Sequence, residues 1–432
     1  MGKASNLRSV LFWIMDFFKK SKIKNNYNEI DLSFKSSETN PNYLKDKLDS
    51  ILNEASDYTN FYKMYKGKSI NEFPVIDKNL IRDNFDNFLS SKYSSQERIP
   101  VITSGSTGTP FRTFQNKLKR LRNTADTIYM AEQGGYFIGI KLYYFKIWSE
   151  YNKKTTFLRF MQNIAAVDVL NLQANLSSVV KNFQLNKKPI ALLGYVSALE
   201  TLYKYLDINE KKEKLPKICS IITMSESLDE YTKNRLGEHL KCPVLSRYSN
   251  IENGILAQQT IKDKINFTLN VASYYFEILD IDNNTKLPYG KLGKIVVTDF
   301  YNKAMPLIRY DTGDMGIMNE VLIEGRKTLV LSHIEGRKLD RIYNTKGDLI
   351  SSYIVYKNMW NYPEIEQYQF VQVSKEEYVF KISMKSKFKR ENELINEFKS
   401  YVGLDADFKV EYVDEIPLLN SGKRKKVMNI SK

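Results

Sequence analysis

The sequence predicts an α/β protein with a large N-terminal domain of mixed α/β structure and a small α+β domain at its C-terminal end. Between about residues 120 and 300, short apolar runs alternate with helical stretches, which is typical of βαβ units. The run from YYFEILDID to KLGKIVVTDF shows the residue alternation of antiparallel strands, and the pattern changes again after Gly336. We therefore place the large domain at residues 1–338 and the small domain at residues 339–432.

Individual elements can be predicted in order along the chain. Residues 75–92 are predicted to form one helix, because Asp77 is a suitable N-cap and apolar residues recur at helical spacing. Helices are also predicted at SALETLYKYL and ENELINEFKSYV. The predicted strands are IALLGYV at residues 190–196, CSIITMS at 219–225, the antiparallel pair YYFEILDID and KLGKIVVTDF, and the C-terminal pair QYQFVQVS and EYVFKISM.

Composition excludes several classes of protein. A chain of 432 residues with 42% hydrophobic and 13% aromatic residues is too apolar to be disordered and long enough for a large core. The 65 basic residues exceed the 50 acidic residues, which gives a net charge of +15. These lysines are scattered and form no Arg/Gly-rich arm, so we expect a solvated basic surface and no nucleic-acid partner.

The cysteine and histidine content limits the chemistry further. Cys219 and Cys242 are the two cysteines, and His239 and His333 the two histidines. Such a set argues against a disulfide framework, a structural zinc site and a histidine-based catalytic triad. We expect a cytoplasmic protein whose chemistry depends on other residue types.

An apolar run at residues 10–15 continues into lysines at positions 19, 20, 22 and 24. The run is too short to span a bilayer. It predicts a helix that packs against the main domain, and the alternative is a helix that lies on an anionic membrane surface. Peripheral contact with the inner face of the membrane through residues 10–24 therefore stays open.

A segment rich in glycine and hydroxyl residues follows the apolar run at residues 99–102. Its sequence is Thr103-Ser104-Gly105-Ser106-Thr107-Gly108-Thr109-Pro110. Glycines let backbone N–H groups approach an anion, and the hydroxyls add further donors. The P-loop pattern is absent, because no Gly-Lys-Ser/Thr closes the segment. Taken alone, the segment is equally compatible with a phosphate-binding loop and an ordinary surface loop.

At this point the sequence resembles the adenylate-forming superfamily of acyl-CoA synthetases, adenylation domains and luciferases, whose phosphate loop is similar to TSGSTGTP. Each motif taken singly also has a structural explanation, but five matches in the same order span about three quarters of the chain. The four further segments are Tyr248-Ser249-Asn250-Ile251-Glu252, Arg309-Tyr310-Asp311-Thr312-Gly313-Asp314, Gly336-Arg337-Lys338-Leu339-Asp340 and Pro417-Leu418-Leu419-Asn420-Ser421-Gly422-Lys423.

The resemblance implies a role for each motif. Residues 103–109 would hold the ATP phosphates, and the small domain would be mobile, with a hinge near residues 337–341. The other implied roles are adenine stacking for Tyr248, nucleotide contact for its neighbours Ser249 and Asn250, magnesium binding for Glu252, ribose binding for Asp314, nucleotide contact for Arg337 and catalysis of adenylation for Lys423.

Within the superfamily, the chain looks most like phenylacetate-CoA ligase-like proteins, especially the subgroup associated with capsular polysaccharide biosynthesis. The segments that carry this likeness are PVIDKNLIRDNF, GYVSAL at 194–199 and TMSESL at 223–228. The resemblance implies that Tyr195 and Val196 adjoin the acyl pocket and that Ser225 and Glu226 adjoin adenine. Three further aromatic residues are candidates for the acyl pocket, with core packing as the alternative for each: Tyr143, Tyr144 and Trp148.

The expected function is ATP-dependent activation of a carboxylic acid to an acyl-adenylate, with release of pyrophosphate, followed by transfer of the acyl group to a thiol such as coenzyme A. ATP and magnesium are the implied cofactors, with coenzyme A as the co-substrate of the second step. Amide formation with an amino sugar or amino acid is the alternative second step. A nucleotide-binding protein without catalytic activity is the third alternative.

Overall fold

The computed structural model describes residues 7–35, 41–103, 111–148, 155–208, 215–226, 228, 230–335, 342–350, 353–362, 364–384, 386–417 and 425–431. The chain divides into two compact units. The first comprises residues 1–226 and 236–334, and the second comprises residues 227–235 and 335–432. No helix in the described ranges is both long and apolar enough to cross a membrane.

An eleven-stranded sheet forms the centre of the first unit, with the strand order β10-β11-β12-β13-β9-β8-β7-β6-β5-β3-β4. Strands β4, β3, β5, β6 and β7 are parallel, whereas β7 to β9 and β10 to β12 pair in antiparallel fashion. The strand bounds are β3 Lys141–Lys146, β4 Ile164–Asp168, β5 Ile190–Tyr195, β6 Ile218–Met224, β7 Val244–Asn250, β8 Gly254–Gln258, β9 Phe267–Leu269, β10 Tyr274–Leu279, β11 Leu292–Asp299, β12 Tyr310–Ile323 and β13 Arg326–Glu335.

A separate antiparallel hairpin of β1 (Ile99–Thr103) and β2 (Phe111–Gln115) brackets the predicted phosphate loop. Helices lie between most of the parallel strands, as βαβ connections require. The helix bounds before the C-terminal segment are α1 Leu7–Phe18, α2 Lys22–Lys35, α3 Pro41–Tyr58, α4 Lys78–Asp83, α5 Lys117–Gln133, α6 Thr156–Met161, α7 Leu172–Gln184, α8 Val196–Ile208 and α9 Glu230–Leu240.

The second unit has its own core. A mixed sheet has the order β18-β17-β16-β19, and a two-stranded ladder joins β14 to β15. Phe370, Phe380 and Phe398 pack together in the middle of this core. The bounds are β14 Ile342–Tyr343, β15 Leu349–Ile350, α10 Tyr353–Asn358, β16 Gln367–Gln372, β17 Glu377–Ser383, α11 Glu391–Val402, β18 Asp407–Tyr412 and β19 Val427–Asn429.

The predicted fold class is confirmed, because parallel βαβ units, an antiparallel extension and a C-terminal α+β unit are all present. The prediction of one helix over residues 75–92 was wrong in length. Helix α4 ends at Asp83, and a 3₁₀ turn follows at Phe85–Phe88. Asn84 separates them, with φ −124° and ψ 28°, outside the helical region.

Asp77 caps α4 as predicted. Its Oδ1 accepts hydrogen bonds from Asn79 N at 3.0 Å and from Leu80 N at 2.8 Å. We expect Asp77→Ala to lower the free energy of unfolding by about 1 kcal/mol, because both donors lose this acceptor. Urea denaturation measures the change, with the exposed Asp83→Ala at the other end of the helix as the matched control. Equal effects of the two substitutions would contradict the capping role.

Candidate active site

The carboxyl ends of the parallel strands meet at one edge of the large sheet. Tyr195, Met224 and Arg247 are neighbours in the register of β5, β6 and β7. Ser225, directly after β6, has a φ of 72°, a conformation that residues other than glycine seldom adopt. Ligands of open α/β sheets bind at this edge, so predicted residues from three distant segments are brought to a suitable place.

Tyr248 is hydrogen-bonded to Asp314. The Tyr248 hydroxyl donates to Asp314 Oδ2 at 2.7 Å and lies 3.1 Å from Thr312 Oγ1. Thr312 is held in turn, because its hydroxyl donates to the Ile295 carbonyl at 2.9 Å. Burial, and then the Asp314 charge, raises the pKa of Tyr248 well above its ordinary value, so the phenol stays a donor at neutral pH. Two residues predicted to bind the nucleoside therefore form one hydrogen-bonded unit.

Glu252 is buried, with 2% of its surface exposed, and is paired with a cation. Its Oε1 lies 2.7 Å from Lys78 Nζ and accepts a hydrogen bond from the Tyr310 hydroxyl at 2.8 Å. Within the described part of the chain, no hydrogen bond or ion pair reaches its other oxygen, Oε2. A buried carboxylate requires a cationic partner, and Lys78 provides it. The sequence analysis did not predict Lys78 as a site residue.

Backbone hydrogen bonds hold the segment that carries Lys78 against β12. Ile76 N donates to the Arg309 carbonyl at 3.0 Å, and Asp311 N donates to the Ile76 carbonyl at 2.8 Å. Arg309 forms a buried ion pair with Glu277, with 3.1 Å between its Nη2 and Glu277 Oε1. The motif at residues 309–314 therefore positions Lys78 as well as Asp314. A sequence pattern cannot show this, because the two segments lie more than 200 residues apart.

The base of the predicted phosphate loop is attached to the Glu252–Lys78 pair. Thr103 lies opposite Phe111 in the β1–β2 register, which brings the two ends of the intervening segment together. Gln115 Nε2 donates to the Glu252 carbonyl at 2.8 Å, and Lys78 Nζ lies 5.3 Å from the centroid of the Phe111 ring. The hairpin thus connects the loop's base to the carboxylate that the motifs assign to magnesium.

Several predicted residues cannot be located in this way. For Thr103 the structure describes only the strand position. Other predicted residues lie outside the described residues: Ser104, Gly105, Ser106, Thr107, Gly108, Thr109, Arg337 and Lys423. Their roles stay predictions.

Ser249 and Asn250 are the last two residues of β7, directly before the turn that leads to β8. The pairing of these strands is irregular between Tyr248 and Ser249, and such bulges re-aim side chains near functional sites. Asn250 Oδ1 accepts a hydrogen bond from Asn253 N at 2.8 Å. The Asn250 side chain therefore shapes the turn that presents Glu252.

Glu226 connects the end of β6 to the start of α8. Its two carboxylate oxygens accept hydrogen bonds from Ser197 N at 2.7 Å and from the Ser197 hydroxyl at 3.0 Å. A carboxylate is favourable at a helix N-terminus, so Glu226 stabilises the junction of β5 and α8, where Tyr195 and Val196 lie. These two hydrogen bonds join Glu226 to the candidate acyl-pocket segment, and its proximity to adenine stays a prediction.

The candidate acyl-pocket residues divide between two faces of the sheet. Tyr144 and Tyr195 pack with Met224 on one face, and Tyr144 meets Trp148 edge to face at 5.4 Å. Tyr143 points the other way and packs on Phe183 at 4.4 Å, with its hydroxyl donating to the Asn182 carbonyl. Adjacent strand residues face opposite sides. Tyr143 is therefore a core residue, which is the alternative that the sequence analysis left open for it.

Arg247 lies one residue before Tyr248 and is 8% exposed. Its Nε donates to Gln258 Oε1 at 2.7 Å, and no described carboxylate forms an ion pair with it. Burial lowers the pKa of Arg247 to about 10, which leaves the guanidinium charged at neutral pH. The sequence analysis missed this residue, because an arginine in a strand carries no signal of burial.

The donor set around Glu252 fits a magnesium ion that is held mainly by phosphate. No group of three acidic, histidine or cysteine side chains that could bind a metal occurs among the described residues. Magnesium bound with nucleotides uses one or two carboxylates together with phosphate oxygens and water. Glu252 Oε2, which makes no other described contact, is a suitable ligand of this kind.

Sequence comparison finds similar proteins. Residues 342–430 match the family described as CapK C-terminal domain. Protein CapK of Staphylococcus aureus is 26% identical over 376 residues, which covers 84% of this chain and 80% of CapK. Phenylacetate-coenzyme A ligase of Thermus thermophilus is 39% identical over 67 residues, or 15% of each chain.

Solved structures with the same fold include ligases. A 2-hydroxyisobutyryl-CoA ligase in complex with R3-HIB-AMP has a TM-score of 0.71 at 16% identity, with 92% of this chain and 90% of that chain covered. The amide bond synthetase McbA from Marinactinospora thermotolerans has a TM-score of 0.55 at 16% identity, with 77% and 68% covered. The chain thus has the fold of the adenylate-forming ligases, and its sequence resembles CapK and phenylacetate-coenzyme A ligase, as its motifs predict.

Proposed function

We propose that the protein uses ATP to convert a carboxylic acid into an acyl-adenylate, releases pyrophosphate, and then transfers the acyl group to a thiol such as coenzyme A. One observation carries this proposal. Two hydrogen bonds join the two separate motifs, one from Tyr248 to Asp314 and one from Tyr310 to Glu252. Gln115 connects Glu252 to the base of the predicted phosphate loop. A structural role for each residue alone would not require this convergence.

Adenylation brings a carboxylate towards the α-phosphate, so two negative charges approach each other. The barrier is largely electrostatic, and the protein has to supply positive charge and alignment. Glu252 would hold magnesium through Oε2, and the bound ion would neutralise phosphate charge. By the resemblance, residues 103–109 would bind the phosphates, Arg337 would contact the nucleotide and Lys423 would stabilise the charge that develops during attack.

The Tyr248–Asp314 unit suits the nucleoside. A carboxylate can accept hydrogen bonds from two neighbouring hydroxyls, as the ribose of ATP presents them. The Tyr248 hydroxyl orients that carboxylate at 2.7 Å, and the Tyr248 ring offers a stacking surface for adenine. Ser225 and Glu226, at the end of the neighbouring strand, would adjoin the same base.

The nature of the acceptor is the open part of this proposal. Related folds include a ligase bound to an adenylate and CoA, at a TM-score of 0.60, and an amide bond synthetase, at a TM-score of 0.55. We favour coenzyme A because of the likeness to phenylacetate-coenzyme A ligase. The likeness to CapK supports the proposed role in capsular polysaccharide biosynthesis.

ATP–pyrophosphate exchange with a panel of carboxylic acids tests the first half-reaction. Screening of coenzyme A, amino sugars and amino acids with the best acid then identifies the acceptor. We expect acid-dependent exchange that requires magnesium. Binding of ATP without exchange for any acid would favour the non-catalytic alternative, and absence of both would overturn the proposal.

We expect Asp314→Ala to raise the KM for ATP about 10- to 100-fold, because hydrogen bonds to a charged acceptor contribute roughly 1.5–3 kcal/mol. Tyr248→Phe keeps the ring and removes the donor, and we expect it to raise the same KM only a few-fold, by roughly 1 kcal/mol. Steady-state kinetics with varied ATP measure both changes. A large loss of kcat at an unchanged KM for ATP would contradict the assigned ribose contact.

A further inference from the structure

All polar residues of helix α1 are partly or fully buried, as are Phe12 and Trp13, whereas its exposed residues are all apolar. Arg8, Ser9, Phe12, Trp13 and Asp16 are partly or fully buried. Every exposed residue of the helix is apolar, whereas an ordinary surface helix exposes polar residues. These exposed residues are Leu7, Val10, Leu11, Ile14, Met15, Phe17 and Phe18, the last at 80%.

Specific contacts hold α1 in this orientation. The Asp16 carboxylate accepts hydrogen bonds from Ile23 N at 3.1 Å and Lys24 N at 2.8 Å, at the start of α2. Trp13 meets Tyr27 edge to face at 5.9 Å, and the Tyr27 hydroxyl donates to Glu132 in α5 at 2.6 Å. The apolar surface is therefore presented by a helix that is anchored to the first unit.

Positive charge lies at both ends of this apolar surface. Four exposed lysines, at positions 19, 20, 22 and 24, follow Phe17 and Phe18 directly. At the other end, Arg8 lines a cleft of about 450 Å³ together with Lys141 and Arg159, and none of its described lining residues is acidic. Burial, and then the Arg8 charge, lowers the pKa of Lys141. Phe160 beside this cleft is 66% exposed.

We propose that α1 lies flat on an anionic lipid bilayer, with its apolar side chains among the acyl chains and the lysines and the basic cleft against headgroup phosphates. The charge pattern selects this occupant, because apolar insertion flanked by cations matches an anionic interface. A second copy of the chain would bring the same cations face to face. The proposal is independent of the catalytic assignment.

Vesicle co-sedimentation tests the proposal with the full chain, comparing phosphatidylglycerol–phosphatidylcholine vesicles with phosphatidylcholine alone. We expect binding only to the anionic vesicles, weakened by salt. The double variant F17E/F18E should weaken it on the order of tenfold for each phenylalanine. Lys19→Gln and Lys22→Gln should each weaken it about fivefold. Leu185→Glu, at the residue that follows α7 and is 78% exposed, is the matched control and should bind like the unchanged protein.

Three outcomes would overturn the proposal. One is equal binding by F17E/F18E and L185E. Another is self-association of the unchanged protein in sedimentation velocity, lost in F17E/F18E, without vesicle binding. The third is binding of inorganic phosphate in calorimetry, lost in Lys141→Gln, without binding to anionic vesicles, which would assign the cleft to a free anion.

A second inference deepens the proposed function and rests on it. Arg247 is a charged side chain, more than nine-tenths buried, that uses one of its five donors on Gln258 and has no ion-pair partner among the described residues. Arg247 is the register partner of Met224, which packs with Tyr144 and Tyr195 in the candidate acyl pocket. A buried charge of this kind is destabilising unless an anion neutralises it.

We infer that the acid substrate carries a second anionic group, as a dicarboxylic acid does, and that Arg247 binds it. ATP–pyrophosphate exchange with succinate against butyrate, and glutarate against pentanoate, tests this directly. We expect the dicarboxylic acid to be favoured at least about tenfold, in line with the strength of a charge-assisted pair. Arg247→Met should abolish that preference while leaving the KM for ATP unchanged.

The two levels of this inference can fail separately. Absence of exchange with every acid tested would overturn the adenylation proposal. Exchange with equal or better use of the monocarboxylic acids would overturn only the role of Arg247. The role of Arg247 would also be overturned if Arg247→Met lowered exchange with both kinds of acid by the same factor while its melting temperature showed that the variant is folded.

Discussion

Lys423→Ala is expected to reduce adenylate formation on the order of 10³-fold while leaving acyl transfer from a supplied adenylate nearly unchanged. The physical reason is that a cation aimed at charge that develops during attack lowers the first barrier, and electrostatic groups of this kind contribute about 10²–10³ in rate. Transfer from a preformed adenylate involves no attack on phosphate. Pyrophosphate exchange measures the first step, and product formation from a synthetic acyl-adenylate and coenzyme A measures the second.

Lys425→Ala is the matched control for this experiment. Lys425 belongs to the same basic run as Lys423, and its described hydrogen bond to Gln369 uses the Lys425 carbonyl, which the substitution keeps. We expect both half-reactions to survive in this variant. An equal loss of the two half-reactions in Lys423→Ala would show that the lysine supports folding or general binding, and would remove the basis for its catalytic assignment.

Glu252→Gln is expected to lower pyrophosphate exchange about 10²- to 10³-fold and to raise the magnesium concentration that the reaction needs, because a neutral amide is a poor magnesium ligand. The substitution also leaves Lys78 without its carboxylate partner, which lies 2.7 Å away. We therefore expect a loss of stability of roughly 1–3 kcal/mol. Magnesium titration of the exchange reaction and thermal unfolding measure the two effects separately.

The double variant Lys78→Met with Glu252→Gln distinguishes a structural role from a chemical one. It removes both charges, so we expect the melting temperature to recover while exchange stays low. Recovery of exchange in the double variant would mean that Glu252 serves only as the counter-ion of Lys78. Glu54→Gln is a control for loss of a lysine–glutamate pair elsewhere, because Glu54 in α3 pairs with Lys92, with 2.9 Å between Lys92 Nζ and Glu54 Oε1. It should leave exchange unchanged.

The parts of the site that the sequence predicted are those with local signals. Tyr248 and Glu252 lie in one short segment, and Asp314 directly follows a Thr-Gly pair, so their residue types and order were sufficient to single them out. The segments 190–196 and 219–225 were predicted as strands for the same reason, and β5 and β6 confirm them. The roles of these residues in nucleotide binding stay predictions until the variants are measured.

The parts that were missed depend on neighbours distant in the chain. Lys78 meets Glu252 only because the segment before α4 pairs with β12. Tyr143 and Tyr144 are indistinguishable as sequence, and the placement of α7 on one face makes Tyr143 a core residue. The predicted helix over residues 75–92 was too long because periodicity does not reveal where Asn84 leaves the helical region.

The amino-acid sequence by itself determined the fold class, the order of the five motifs and the residue types available for chemistry, since these follow from local patterning and composition. Only the tertiary structure decided that Lys78 neutralises Glu252, that Arg247 is buried without a described counter-ion, and that the apolar side of α1 faces solvent. Strand order and register set these contacts, and both arise from the packing of the whole sheet, which no single segment encodes.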